Sequence, residues 1–139
     1  TGAIAMTVQG AVAGDAFGTT VAGLGDLDGD GAPDFIVGAP AIGPGYAAVF
    51  SGATGTLLMI QAGSAASDAF GVACAGTGDL NGDSIPDFVV GEKGSDPFSL
   101  TEAGGARVLS YAGVPAGSST FGSGCPGQSG AAPLKASEI

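Results

Sequence analysis

The chain reads as an all-β protein built from two copies of one four-stranded antiparallel unit, and three observations predict it. With 28 Gly and 8 Pro in 139 residues, no stretch of helical length escapes a helix breaker. Residues 15–38, "DAFGTTVAGLGDLDGDGAPDFIVG", align without gaps on residues 68–91, "DAFGVACAGTGDLNGDSIPDFVVG". Within each copy, short runs rich in β-branched residues are bounded by Gly, Pro and Asp, as strands are.

The elements follow in order. Residues 3–9, "AIAMTVQ", resemble "LLMIQA" at 57–62 and are expected as a strand. "TTVAGLG" (19–25), "DFIVGAP" (34–40), "AAVFS" (47–51) and "TLLMIQA" (56–62) are the four strands of the first copy, with "SGATG" (51–55) as the turn between the last two. The second copy lies 53 residues on. Its third strand matches at an offset of 59 instead, "GYAAVFS" (45–51) on "GGARVLS" (104–110), so it carries a six-residue insertion around "SDPFSL". It has no clear fourth strand. A repeat of this length with four strands per unit is the composition of a propeller blade. The expected division is an N-terminal strand at 1–14 that completes a neighbouring blade, a first repeat at 15–67, a second at 68–113, and a Gly/Ser/Pro-rich extension at 114–139. Propellers close with about 4–8 blades, so two blades are incomplete as a closed propeller.

The loop between the first two strands of each copy is the chemical signal. In "GDLDGDGAPDF", Asp26, Asp28, Asp30 and Asp34 occupy positions 1, 3, 5 and 9, and Ala32 offers a backbone carbonyl at position 7. Four carboxylates so close repel one another unless a cation sits among them. Hard oxygen donors in this number suit Ca²⁺; Mg²⁺ demands a stricter octahedron and keeps its waters. Zn²⁺ lacks its usual His and Cys partners, since the chain has no His. The second loop repeats the pattern as Asp79, Asn81, Asp83 and Asp87, with the carbonyl of Ile85, and Asn81 carries one negative charge fewer. Two Ca²⁺ per chain are expected. An EF-hand needs Glu at position 12, where Val37 and Val90 stand, and Pro33 and Pro86 stop a following helix. Seven of the 13 acids lie in these two loops, which generic solubility does not explain.

The formal charge of −10, with Lys93, Arg107 and Lys135 as the cations, disfavours nucleic acid as a partner. No apolar run is long enough to span a bilayer as a helix. A chain that starts at Thr1 fits a secreted protein after signal removal or a trimmed segment. Cys74 reads as a buried thiol in a strand, with a Cys74–Cys125 bridge as the alternative.

The sequence resembles the integrin-type FG-GAP repeat. Phe17-Gly18, then the acidic loop, then Gly38-Ala39-Pro40 occur in that order; the second copy has Phe70-Gly71 but Gly91-Glu92-Lys93 in place of the later triplet. The resemblance covers residues 4–113. It implies propeller blades with Ca²⁺ in the loop joining the first two strands, where the ion stiffens the blade and does no chemistry. The expected function is a secreted, calcium-stabilised structural or adhesion module, not an enzyme, that self-assembles head to tail into a ring or fibre through its terminal strands. The alternatives are a ligand-binding propeller fragment of a larger cell-surface protein, with an unknown protein or glycan ligand, and a non-catalytic accessory domain of a secreted hydrolase or lyase.

Overall fold

The computed structural model describes residues 2–96, 101 and 103–112. Two antiparallel meanders are formed. The first runs β1 (Thr20–Gly23), β2 (Phe35–Ala39), β3 (Tyr46–Phe50) and β4 (Leu57–Ala62), paired in that order. The second runs β5 (Phe70–Gly78), β6 (Asp87–Glu92) and β7 (Gly105–Ser110). The four strands expected in the first copy all form. The second sheet has three strands among the described residues rather than four. The expected insertion falls partly outside those residues, and the C-terminal extension and Cys125 fall wholly outside them.

Strand alternation sorts the side chains of the first sheet onto two faces. Ile36, Ala47 and Val49 point one way and join Leu24, Leu27, Phe70, Phe88 and Val90 in the core between the sheets. Val37, Ala48 and Phe50 point the other way, packed by Val8, Phe17, Phe35 and Tyr46. Full burial of a Phe, Ile or Val is worth about 1.5–3 kcal/mol each, so the inter-sheet core dominates stability. Cys74 packs against it, and burial pushes its thiol pKa up to about 11.

Residues 3–9, expected as a strand, make no ladder among the described residues. Val8 instead packs on the outer face of the first sheet, while Ile4 is 84% exposed.

The sheets meet through backbone. A Cβ on Gly38 would collide with the Gly71 carbonyl oxygen, and one on Gly71 would collide with the Tyr46 carbonyl oxygen. Gly71 also has φ +94°, which disfavours any side chain. Beside this contact the Phe70 amide donates to the Pro44 carbonyl (2.9 Å) and Gly63 donates to Gly45 (3.1 Å), fastening the connection between the sheets. Glu92 stands where the first copy has Ala39. It is buried, and Arg107 holds it with two hydrogen bonds of 2.9 Å. The same guanidinium lies 5.1 Å from the Phe70 ring centroid and donates to the Ser64 hydroxyl (2.7 Å).

The Phe-Gly pairs allow a controlled test. Gly18 shares the left-handed conformation (φ +98°), but an added Cβ there meets nothing within 4 Å. Gly18→Ala should therefore cost only the conformational strain, roughly 1–2 kcal/mol. Gly71→Ala adds a collision between the sheets and should exceed about 4 kcal/mol, in the tail of single substitutions. Urea denaturation of the two variants compares them directly.

Candidate metal centre

Each acidic loop is wound by its own carboxylates, which accept hydrogen bonds from amides a few residues ahead. In the first loop Asp26 Oδ1 accepts from Gly29 (2.7 Å) and Asp30 (3.1 Å), and Oδ2 accepts from Gly31 (2.8 Å). Asp28 accepts from the Asp30 amide (3.0 Å) and Asp30 from the Ala32 amide (2.8 Å). Asp34 is buried at the foot of the loop. Its Oδ2 accepts from Leu27 (2.7 Å), and its Oδ1 from Gly52 in the turn after β3 (3.0 Å).

This winding brings Asp26, Asp28 and Asp34 together, with one carboxylate oxygen of each within 4.8 Å of the others. Asp30 stands outside that group, and its second oxygen accepts from the Ser51 hydroxyl (3.3 Å). Burial holds the Asp28 carboxyl above the ordinary range, and the charges of Asp30, Asp34 and Asp26 push it the same way, against one amide hydrogen bond. Three converging hard oxygens are donors of the kind a cation such as Ca²⁺ takes, and about half of the 6–8 such an ion gathers.

The second loop repeats the design. Asp79 Oδ1 accepts from Gly82 (2.6 Å) and Asp83 (3.1 Å), and Oδ2 accepts from Ser84 (2.8 Å). Asn81 Oδ1 accepts from the Asp83 amide (2.9 Å), and Asp83 accepts from the Ile85 amide (2.8 Å). Ser84 takes the place of Gly31 and keeps its left-handed backbone, φ +75°. At the foot, Asp87 Oδ2 accepts from Leu80 (2.6 Å) and Asn81 (3.3 Å). Asp87 Oδ1 is buried with no hydrogen-bond partner among the described residues. Burial raises its pKa; the Leu80 amide and the nearby Ser110 hydroxyl oppose the rise, although the hydroxyl does not satisfy Oδ1. Its counterpart in the first loop is satisfied by Gly52, and the matching position after β7 is Tyr111. A buried carboxylate oxygen without a donor fits a site that takes a cation.

The two loops lie side by side. A Cβ on Gly25, at the start of the first, would run into the Pro86 ring of the second. The Tyr111 phenol has its pKa raised by burial and then by the charges of Asp28 and Asp34.

Two further acids escaped the sequence reading. Asp15 and Asp68, both buried, fasten the segments ahead of the Phe-Gly pairs. Asp15 Oδ2 accepts from the Ala11 and Val12 amides (3.1 Å each) and the Tyr46 hydroxyl (2.5 Å), and Oδ1 from Phe17 (2.9 Å). Asp68 accepts from Ser64 and Ala65, each at 2.8 Å. The signal was present, since both begin the repeated "DAFG".

Fold and loops together define a protein of repeated β-blades with acidic interstrand loops. Residues 26–90 match the family model of the FG-GAP-like repeat. Integrin alpha-5 of Xenopus laevis is 38% identical over 91 residues, covering 58% of this chain and 9% of the integrin. Integrin alpha-7 of Homo sapiens is 34% identical over 80 residues, covering 54% of this chain and 7% of the integrin. Over about half its length the chain is similar to the integrin-type FG-GAP repeat proteins, and residues 26–90 form an FG-GAP-like repeat segment. It spans less than a tenth of the length of these curated relatives.

Asp34→Ala leaves the Leu27 and Gly52 amides without their charged acceptor and should cost roughly 3 kcal/mol, whereas Asp30→Ala at the exposed rim should cost about 1 kcal/mol or less. Chemical denaturation in chelator measures both. The raised Asp28 and Asp87 values mean that the folded, metal-free chain binds more protons than the unfolded chain just above the ordinary carboxylate range. Their contribution to stability should therefore rise as pH falls from neutrality through those raised values. The same denaturation experiment at a series of pH values shows the sign.

Proposed function

We propose that this chain is a secreted, Ca²⁺-stabilised structural or adhesion module that acts outside the cell or at its surface, without catalysis of its own. The observation that carries the reading is the pair of like acidic loops set side by side, one of which gathers Asp26, Asp28 and Asp34. Asp26, Asp28, Asp30 and Asp34 with the Ala32 carbonyl would hold one ion. Asp79, Asn81, Asp83 and Asp87 with the Ile85 carbonyl would hold a second. Bound Ca²⁺ supplies the positive charge that offsets the mutual repulsion of these carboxylates. The chain's own residues do the rest: amide hydrogen bonds wind each loop in advance, and Asp34 and Asp87 tie it to the second strand of each sheet. Kinship with integrin α chains supports a place in adhesion.

The module assembles head to tail in this reading. Among the described residues β7 pairs on one side only, with β6. The first sheet has β4 at the corresponding edge, and residues 3–9 resemble β4 in sequence. Addition of that segment from a second copy to β7 would extend the sheet, giving a ring where the rotation closes and a fibre where it does not. Leu80, in the second acidic loop, supports this: it is 39% exposed, while its counterpart Leu27 in the first loop is 3% exposed in the core, so the second repeat keeps apolar surface for a further copy to cover. A second reading, a ligand-binding segment, is favoured by a cleft of about 690 Å³ lined by Ser64, Ser67, Asp68, Lys93 and Ser95. Binding to peptide or glycan arrays would support that reading over assembly alone.

Calorimetric titration should find two Ca²⁺ per chain, the second site weaker. At free Ca²⁺ of about 100 times Kd, each site should add roughly 2.7 kcal/mol of stability. An unchanged melt in chelator overturns the cation reading. Light scattering should show a particle larger than one chain that shrinks when residues 1–9 are deleted. A full chain that stays monomeric at high concentration with Ca²⁺ overturns the assembly.

A further inference from the structure

We infer that Asn81 is a self-modification site: in the folded chain the second loop promotes attack of the Gly82 nitrogen on the Asn81 carboxamide and converts Asn81 to an aspartyl residue. Asn81 is the only asparagine of the chain, and glycine follows it. Glycine is the least hindered neighbour for such attack, because no Cβ shields its nitrogen. Gly82 is exposed, has φ +83°, and an added Cβ there would meet nothing within 4 Å.

The surrounding groups match what the reaction needs. The nucleophile is the Gly82 nitrogen, whose proton is held by Asp79 Oδ1 at 2.6 Å, a short charge-assisted contact that raises electron density on that nitrogen. The electrophile is Asn81 Cγ. Its Oδ1 accepts from the Asp83 amide at 2.9 Å, placing a donor where negative charge develops in the tetrahedral intermediate. The leaving nitrogen, Nδ2, donates to Asp83 Oδ2 at 3.0 Å, which fixes the carboxamide rotamer. All three reacting positions are thus oriented by neighbours within two residues of Asn81.

The steps balance with water as the only co-reactant. The Gly82 N–Cγ bond forms and the Cγ–Nδ2 bond breaks. The Gly82 proton passes through Asp79 Oδ1, which returns it to water, and the departing nitrogen takes a proton from water and leaves as ammonia. Water then opens the five-membered succinimide at one of its two carbonyls, giving aspartate or isoaspartate. The aspartate product has the carboxylate pattern of the first loop, with position 81 now equivalent to Asp28. Its consequence for cation binding rests on the function proposed above; the modification itself does not.

The test incubates the full chain, folded and in urea, at neutral pH and body temperature without metal. Peptide mass spectrometry follows the exchange of NH₂ for OH at residue 81, and an enzymatic assay follows ammonia. The folded chain is expected to convert at least as fast as the unfolded chain. Asp79→Asn should slow conversion in the folded chain roughly tenfold, the worth of one charge-assisted hydrogen bond, with no such effect in urea. Asn81→Gln, whose attack would need a larger ring, should remain unconverted at that position. A folded chain that keeps Asn81 while the unfolded chain converts overturns the proposal, as does a folded Asp79→Asn chain that converts at the parent rate. If Asp79→Asn fails to fold, the folded-against-urea comparison of the parent decides alone. Ca²⁺ titration of Asn81→Asp, the normal aspartate product, should show a tighter second site. Conversion with no gain in Ca²⁺ affinity would sustain the modification and count against the cation reading.

Discussion

The architecture depends on one close approach, that of the Gly71 backbone to Gly38 and Tyr46. A sheet of half-buried strands is not stable alone; it needs a second layer over its apolar face. Here the layers come near enough for Phe70 and Phe88 to enter the space above Ile36 and Val49 because the chain bears no side chain where the backbones touch. Phe70 and Gly71 are adjacent for that reason: one fills the interface and the other lets it close. The inter-sheet hydrogen bond from the Phe70 amide to the Pro44 carbonyl depends on that close approach.

The acidic loops show a contrasting economy. Their backbone turns are made locally, each carboxylate accepting from amides a few residues ahead. Their attachment to the fold is not local: Asp34 reaches the turn after β3, 18 residues away. Loop shape is thus set by short-range hydrogen bonding and loop position by the sheet. The cost shows at the Asp28 carboxyl, raised first by burial and then by the like charges of Asp30, Asp34 and Asp26.

Much of this was legible in the residues. The short apolar runs of "DFIVGA" and "AAVFS", bounded by Pro, Gly and Asp, mark strands, and both are buried on both faces. The loops were legible because their spacing recurs. The Glu92–Arg107 pair was not. Its members are 15 residues apart, flank the insertion that breaks the repeat offset, and look like a lost Ala-Pro and an isolated cation. Asp15 and Asp68 were overlooked because a lone acid before Phe-Gly resembles an ordinary solvated turn, and only the direction of its hydrogen bonds distinguishes it. Residues 3–9 have the composition of a strand, but pairing depends on an available edge, which composition does not reveal.

The Arg107 clamp has a consequence for the order of the repeats. It joins the second sheet to Ser64, in the connection that leaves the first sheet, and covers Phe70, at the start of its own. The first repeat has Ala39 and Ala48 where the second has Glu92 and Arg107. Two units that look interchangeable by alignment are therefore not permutable. Each is adapted to its neighbour on one side, so the chain has a grammar of succession as well as a vocabulary of blades.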